Sequence, residues 1–207
     1  VGFNSEIYTD IEKGLQRLVS SPFDLVTIMT LRWPMDGDSK YAPYREEFGF
    51  SLSVEGKKII REFVHGGGGL FGVHTACISF SDWPGWREVL GGTWVWGQSS
   101  HPPLGRISIA PTEHLHNLTN GIEEFELVDE VFTDLAILDS IQCLLTAEAA
   151  TSPRPQPVLW AHQYGCGRVV FDALGHNRTS IEHETHSLLI RRCATWAAGY
   201  LNAVTPV

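Results

Sequence analysis

The stretch that decides the fold is Gly-Gly-Gly-Gly-Leu-Phe-Gly-Val-His-Thr-Ala, residues 66–76. Successive glycines end a helix, and the apolar run Leu70–Val73 after them is typical of a strand buried on both faces. The strand ends at His74, where small residues allow the backbone to turn tightly. A turn at this place aims its side chain at the carboxyl edge of a sheet, where α/β proteins bind ligands.

The segments before this strand predict further helices and strands. Ser53 can cap a helix over Val54–His65, and the β-rich run Leu25–Leu31 predicts a second buried strand. Trp33–Gly49, with its prolines, glycines and charges, is typical of a loop. At the start of the chain, Gly2–Tyr8 predicts a short strand that runs into a helix, whose apolar face is Ile7, Ile11, Leu15 and Leu18.

The segments after His74 continue the alternation. We expect helices over Asp82–Leu90 and Glu184–Leu201, and a turn at Gly165-Cys166-Gly167 between the last two strands. The expected strands are Leu104–Ala110, Phe125–Val131, Ile141–Thr146, Val158–Ala161 and Arg168–Phe171. This order predicts an α/β domain with a mostly parallel sheet.

Length and composition exclude several classes of protein. The 207 residues, 43% of them apolar, suffice for one core, so we expect a single domain over residues 1–207. No apolar run reaches the roughly 18 residues of a membrane span, and a net charge of −9 argues against a nucleic-acid partner. The four scattered cysteines fit free thiols in a reducing cytoplasm, so we expect a cytoplasmic protein. A homo-oligomer is left open, because no feature of the sequence decides the oligomeric state.

Short motifs follow one another along the chain from the stretch at residues 66–76 onward. They are Gly91-Gly92 with His101-Pro102, His116–Gly121, Asp129–Phe132, Pro157–Trp160, Gly165–Val169 with Gly175-His176, and Trp196–Gly199. In this order they resemble the ThuA-like (trehalose-utilisation) family, an offshoot of the class I glutamine-amidotransferase-like superfamily. The resemblance implies a flavodoxin-like, three-layer domain. The family's first strand has no counterpart here, and Cys166 and Asn117 replace the usual Lys and Pro.

The same resemblance implies a role in carbohydrate catabolism, with a small-molecule carbohydrate as ligand. The family is associated with trehalose and related disaccharides and with their 3-keto derivatives. A keto group at C3 acidifies the neighbouring C2–H, so that a base can remove this proton if a donor or a metal stabilises the enolate oxygen. Elimination, isomerisation or hydration could each follow, which leaves lyase, isomerase and hydrolase open. The alternatives are a His-dependent hydrolase and a non-catalytic sugar-binding or assembly module on an inactive amidotransferase-like scaffold.

Four side chains are the predicted catalytic groups: His74, Glu130, His176 and His101. His74 occupies the turn where the superfamily's amidotransferases carry their cysteine nucleophile, and we assign it the role of base. Glu130 follows a strand, and we expect it rather than Asp129 to face the pocket, because adjacent strand residues point to opposite sides. Glu130 would orient the base or replace it, and His176 would be the electrophilic donor. We also expect the pocket around His74 to be open to solvent; the structural alternative is a hydrogen-bonded histidine.

Substrate contacts are assigned to Trp160, Trp96, Asp129 and Thr75. A tryptophan can stack on the C–H face of a sugar while its N–H binds a polar group, although core packing is the alternative. No cofactor is expected. Several histidines with a glutamate would suit a divalent metal such as zinc, but they lie in separate segments, and His183-Glu184-Thr185-His186 is one residue short of H-E-x-x-H.

We predict that the protein has no glutaminase activity, because His74 stands where the cysteine nucleophile would be. The amidotransferase pattern His-x-Glu is also missing after the last strand, where Asn177-Arg178 follows His176. Glutamine hydrolysis by the purified protein should stay at background. Steady hydrolysis that Cys77→Ala abolishes would contradict the prediction.

Overall fold

The computed structural model of the chain describes residues 2–148 and 154–201. Its strands, in chain order, are β1 (Leu25–Ile28), β2 (Gly69–Val73), β3 (Gly92–Thr93), β4 (Gly105–Pro111), β5 (Phe125–Asp129), β6 (Ala136–Ile137), β7 (Gln142–Ala147), β8 (Gln156–Tyr164) and β9 (Gly167–Asp172). Its α-helices are α1 (Ile11–Ser20), α2 (Arg45–Phe48), α3 (Val54–His65), α4 (Gly85–Leu90), α5 (Arg178–Ile181) and α6 (Glu184–Ala197). Short 3₁₀ turns cover Ser39–Tyr44 and His74–Cys77.

Seven strands form one sheet in the order β1-β2-β9-β8-β7-β4-β5, and β3 pairs separately with β6. The α/β class is confirmed, but the prediction of a mostly parallel sheet is wrong. Only the pairs β1–β2 and β2–β9 of this sheet are parallel, and its other pairs are antiparallel. The predicted turn explains part of the difference: two residues, Gly165 and Cys166, link β8 to β9, and so tight a link joins only antiparallel strands. The flavodoxin-like, three-layer arrangement stays a prediction.

The core lies around β2 and β9. Every residue of β2 is buried, as are all but one of β9, so both faces of the sheet are covered here. Leu70, Phe71, Val170 and Phe171 are among its fully or nearly fully buried side chains. Helix α3 has the predicted bounds, and Ser53 caps it by accepting a hydrogen bond from the Gly56 amide at 2.9 Å.

Other predicted elements differ at their ends. Residues 2–24, all of which the structure describes, contain no strand, so the strand predicted over Gly2–Tyr8 is wrong; α1 begins at Ile11 after the Asp10 cap. The C-terminal helix stops at Ala197, shortly before Gly199 takes a positive φ of 88°. Within the described residues, no helix is long and apolar enough to cross a lipid bilayer.

All four cysteines are free thiols, but they differ greatly in accessibility. Cys77 and Cys193 are buried and Cys166 is exposed. Burial raises the pKa of the Cys77 and Cys193 thiols, and raises the pKa of Cys143 to about 11. Only a thiolate reacts readily with a disulfide reagent, so the fold should protect three of the four thiols.

We predict that a disulfide reagent labels Cys166 rapidly in the native protein and labels the other three thiols only after unfolding. The reaction without reductant at pH 8 should show one fast equivalent, and four equivalents in denaturant. Cys166→Ser should remove the fast phase alone. Two or more fast equivalents would contradict the protection of the other three thiols by the fold. Fewer than four equivalents in denaturant would contradict the absence of a disulfide.

Candidate functional site

His74 stands at the turn that ends β2, in a backbone conformation that holds its ring inward. Its φ is 48°, in the left-handed region that residues other than glycine seldom adopt. Its Nδ1 lies 2.8 Å from the carbonyl oxygen of Ala173, just after β9. A carbonyl only accepts, so Nδ1 carries the proton and the lone pair of the neutral ring is on Nε2. The expectation of an open pocket is wrong here, because His74 is only 5% exposed.

Burial determines the protonation of His74. Removal of the ring from water lowers the pKa of His74, against the opposing effect of its hydrogen bond to Ala173 and of the nearby Asp129 and Glu130 carboxylates. The ring also stacks on Phe132, with centroids 4.9 Å apart and planes inclined by 25°. His74 is therefore a neutral imidazole at pH 7, with Nε2 as its free nitrogen.

Glu130 lies at the centre of the four predicted catalytic side chains. Its Oε1 is 3.3 Å from Nδ1 of His101, and its Oε2 is 3.2 Å from Nδ1 of His176 and 3.9 Å from Nε2 of His74. The glutamate side chain is 12% exposed, whereas those of His101 and His176 are 43% and 38% exposed. The structure thus brings one carboxylate and three imidazoles together, with His74 inside and the other two histidines toward solvent.

The curvature of the sheet makes this convergence possible. Strands β2, β9 and β5 run in the same direction, so His74, His176 and Glu130 follow three carboxyl ends at one edge. In the sheet order, β5 is four strands from β9, which in a flat sheet would separate them by about 19 Å. The observed contact between Glu130 and His176 shows that the sheet curls until these ends meet.

Asp129 closes the curled sheet and does not face the pocket. Its carboxylate is fully buried. Oδ2 accepts from the Gly175 amide at 2.8 Å and from the hydroxyl of Ser180, and Oδ1 accepts from the amides of Glu130 at 2.7 Å and His176 at 3.3 Å. Asp129 is therefore not placed to contact a substrate, as the sequence suggested. Instead, it positions the backbone of two neighbouring site residues.

Three residues that sequence reasoning missed extend this network. His186 is fully buried, with Nε2 3.0 Å from Oδ2 of Asp172 and Nδ1 2.8 Å from the carbonyl oxygen of Ser180. Burial lowers the pKa of His186, but Asp172 and the Ser180 hydrogen bond outweigh this effect, and the pKa is raised. The Ser180 hydroxyl is buried and bonded to Asp129, so this Ser–His–Asp set offers no exposed nucleophile. Its one signal in the sequence was the position of Asp172 at a strand end.

The remaining predicted substrate contacts lie in different surroundings. Trp160 is fully buried; its indole N–H donates to the Leu90 carbonyl at 2.9 Å and its ring packs on Phe171. Because no atom of a ligand can reach it there, its assignment to substrate is replaced by core packing. The hydroxyl of Thr75 donates to the Thr30 carbonyl at 2.9 Å.

Trp96 belongs to an aromatic wall next to the histidines. It stacks on Trp33 with ring centroids 5.7 Å apart, and the Trp94 ring centroid lies 6.0 Å from that of Trp96. Trp94 in turn contacts His101 at 6.1 Å between ring centroids. Both Trp94 and Trp96 line a cavity of about 520 Å³ together with Trp83, Arg87 and Glu88, within the size range of small-molecule sites.

The comparisons with known proteins identify the family. The model of the ThuA family, described as trehalose utilisation, matches residues 48–197, which include all four converging side chains. The chain belongs to the ThuA family. No curated protein matched the chain. Membership of a trehalose-utilisation family suggests a role in carbohydrate catabolism.

Solved structures share the fold of this ThuA family member. A ThuA-like protein from Parabacteroides merdae is 20% identical with a TM-score of 0.72, over 90% of this chain and 74% of that one. A ThuA-like protein from Bacteroides uniformis is 15% identical with a TM-score of 0.68, over 93% and 76%. A protein from Salmonella typhimurium described as cytoplasmic is 15% identical with a TM-score of 0.56, over 87% and 73%.

We predict that the His186–Asp172 pair makes stability depend on pH. Because the pKa of His186 is raised in the fold, its stabilising contribution is complete below about pH 6.5 and is lost as pH rises through the raised value. The melting temperature of the wild type should fall over this range more steeply than that of Asp172→Asn, which keeps the shape but removes the charge. If the melting temperatures of the two proteins change equally with pH between 6 and 9, the prediction is wrong.

Proposed function

We propose that the protein is an enzyme of carbohydrate catabolism that transfers protons on a small carbohydrate, a 3-keto disaccharide or glycoside. The family supports the substrate class. The observation that carries the catalytic part is the convergence of His74, His101 and His176 on the single carboxylate of Glu130. A catalytic site of this kind needs several acid–base groups within reach of one small ligand.

His101 has the geometry of the base. Its Nδ1 lies 3.0 Å from the Pro102 carbonyl oxygen, so Nδ1 carries the proton and the neutral ring keeps a free electron pair on Nε2. The side chain is accessible to a ligand. Glu130 lies 3.3 Å from the same Nδ1, where its charge would stabilise the imidazolium that forms when Nε2 takes a proton.

The geometry favours a different role for His74 from the one that the sequence suggested. Its ring is nearly inaccessible, and its Nε2 is directed to Glu130. It therefore lies on the interior side of Glu130 and affects the electrostatics of the site, whereas His101 and His176 would contact the substrate. His176, on the other side of Glu130, lies where an electrophilic group would stabilise the developing enolate oxygen.

The chemistry that suits this arrangement begins at the C2–H of a 3-keto sugar. The proton passes to Nε2 of His101, and the electron pair of the broken C–H bond moves to the ketone oxygen. Elimination, isomerisation and hydration all start from the resulting enolate. The ring of Trp94, whose centroid lies 6.1 Å from that of His101, would offer an aromatic face to the second ring of a disaccharide. The Salmonella relative that is described as cytoplasmic supports the same location for this protein.

We predict that Glu130→Gln and His101→Ala each lower kcat for a 3-keto-glycoside by about 10²–10⁴-fold, the usual effect of removing a positioned acid–base group. His101 is largely exposed and Glu130→Gln keeps the shape of the side chain, so the melting temperatures should change little. His114→Ala, which removes an exposed histidine elsewhere, is the matched control and should keep full activity.

The outcome separates the alternatives. Carbohydrate binding without turnover by the wild type would indicate a binding or assembly module. Hydrolysis of simple esters or amides that depends on His74, with no reaction of keto sugars, would indicate a His-dependent hydrolase instead. Either result contradicts the proposed function.

A further inference from the structure

We propose that His74, Glu130 and His176 together bind one divalent transition-metal ion such as Zn²⁺. The inference deepens the proposed function by naming its electrophile, and rests on that function only for this catalytic role. Among the residues that the structure describes, these three form the only such group of histidine, cysteine and acidic side chains. Two imidazole nitrogens and a carboxylate oxygen are a ligand set that zinc uses in catalytic sites.

The distances within the group fit a shared ion. The three ligand atoms, Nε2 of His74, Oε2 of Glu130 and one ring nitrogen of His176, lie within 4.8 Å of one another. Ligands about 2.1 Å from a tetrahedral ion are roughly 3.4 Å apart. The measured 3.2 Å between Glu130 and His176 already has this value, and the 3.9 Å between Glu130 and His74 needs a shift of a few tenths of an ångström.

The tautomer of His74 points to a cation rather than to a simple hydrogen bond. Its Nδ1–H is donated to the Ala173 carbonyl, the outer hydrogen bond that metal-binding histidines typically make. The electron pair on its Nε2 therefore lies near a carboxylate, because Nε2 is 3.9 Å from Oε2 of Glu130 and both side chains are largely buried. Two acceptors that face each other away from water are unfavourable unless a proton or a cation lies between them.

The second buried histidine near a carboxylate shows the contrast. Both ring nitrogens of His186 have a hydrogen-bond partner, at Ser180 and at Asp172, and Nε2 lies within hydrogen-bond distance of its carboxylate at 3.0 Å. His186 therefore has no free electron pair to offer an ion. His74 differs in having one satisfied nitrogen and one free nitrogen that faces two further ligands.

The surroundings of the group are those of a prepared site. Asp129 fixes the backbone of two ligands at once, because its Oδ1 accepts from the amides of Glu130 and His176. Phe132 covers one face of the His74 ring. Three protein ligands leave an open coordination position, on the side where His176 is exposed to solvent.

At that position the ion would bind the ketone oxygen and stabilise the electron pair that arrives there from the C2–H bond. His101 stays outside the ligand set, since its Nδ1 lies near the other oxygen of Glu130, and it still takes the C2 proton on Nε2. From the sequence we expect no cofactor but leave a divalent metal such as zinc open, and the proposal takes up that alternative. The spacing along the chain could not reveal it, because the ligands follow three different strands.

The test is a titration of chelator-treated protein with Zn²⁺ by calorimetry, repeated with Co²⁺, whose visible absorption reports the ligand geometry. We expect one equivalent of either ion. Glu130→Gln and His176→Gln should each weaken binding by at least about 10-fold, whereas the exposed control His114→Gln should bind like the wild type. His176 is partly exposed, so His176→Gln tests the proposal even if His74→Gln does not fold, and thermal melts verify the fold of each variant.

The proposal is overturned if the wild type binds no ion, or if Glu130→Gln and His176→Gln bind it as tightly as the control. These measurements need no carbohydrate, so they are independent of the proposed function. Zinc binding without turnover of a 3-keto-glycoside would reject the function and keep the metal site. Full turnover by protein verified to be metal-free would reject the metal as the electrophile and keep the function.

Discussion

The buried carboxylate of Asp129 is the interaction on which the rest of the site depends. It accepts hydrogen bonds from both sides of a join: from Glu130 at the end of β5, and from Gly175, His176 and Ser180 after β9. Without this join, nothing in the strand order requires the two segments to be neighbours, since three strands separate β5 from β9. The site thus depends on the curvature of the sheet, and the Asp129 side chain holds the two segments together where they meet.

This contact buries carboxylates, whose charge must be compensated. Asp129 and Asp172 are both removed from solvent, and His186, whose pKa is raised there, contacts Asp172 directly and reaches Asp129 through Ser180. Burying a carboxylate is costly unless hydrogen bonds and an opposite charge compensate it. Here four donors surround Asp129, so its charge orders the backbone beneath Glu130 and His176 without facing the pocket.

Local signals predicted much of the fold. The Ser53 cap, the apolar run Leu70–Val73 and the glycines between α3 and β2 each act over a few residues, and α3 has the expected bounds. The sheet direction was missed although the tight turn at Gly165 already required an antiparallel pair. The fully buried position of Trp160 depends on Leu90 and Phe171, which no local pattern relates to it.

The site was predictable to the extent that its residues follow strands. His74, Glu130 and His176 could be placed at one edge because carboxyl ends of like-directed strands meet there. The Asp172–His186–Ser180 network could not be predicted, because its contact to Asp129 spans 51 residues of sequence. The inward position of His74 also escaped prediction, since burial of a turn residue depends on Phe132 and Ala173.

The curled sheet also offers a way to identify ligands of the protein from their effect on its stability. Any molecule that bridges Glu130, His74 and His176 ties together the same two ends that Asp129 joins, and so favours the closed sheet over every opened form. Ligands specific to the native state stabilise it by mass action, by about 2.7 kcal/mol at a concentration 100 times Kd. Thermal-shift screening of sugars and their oxidised derivatives can therefore rank candidates before any reaction is known.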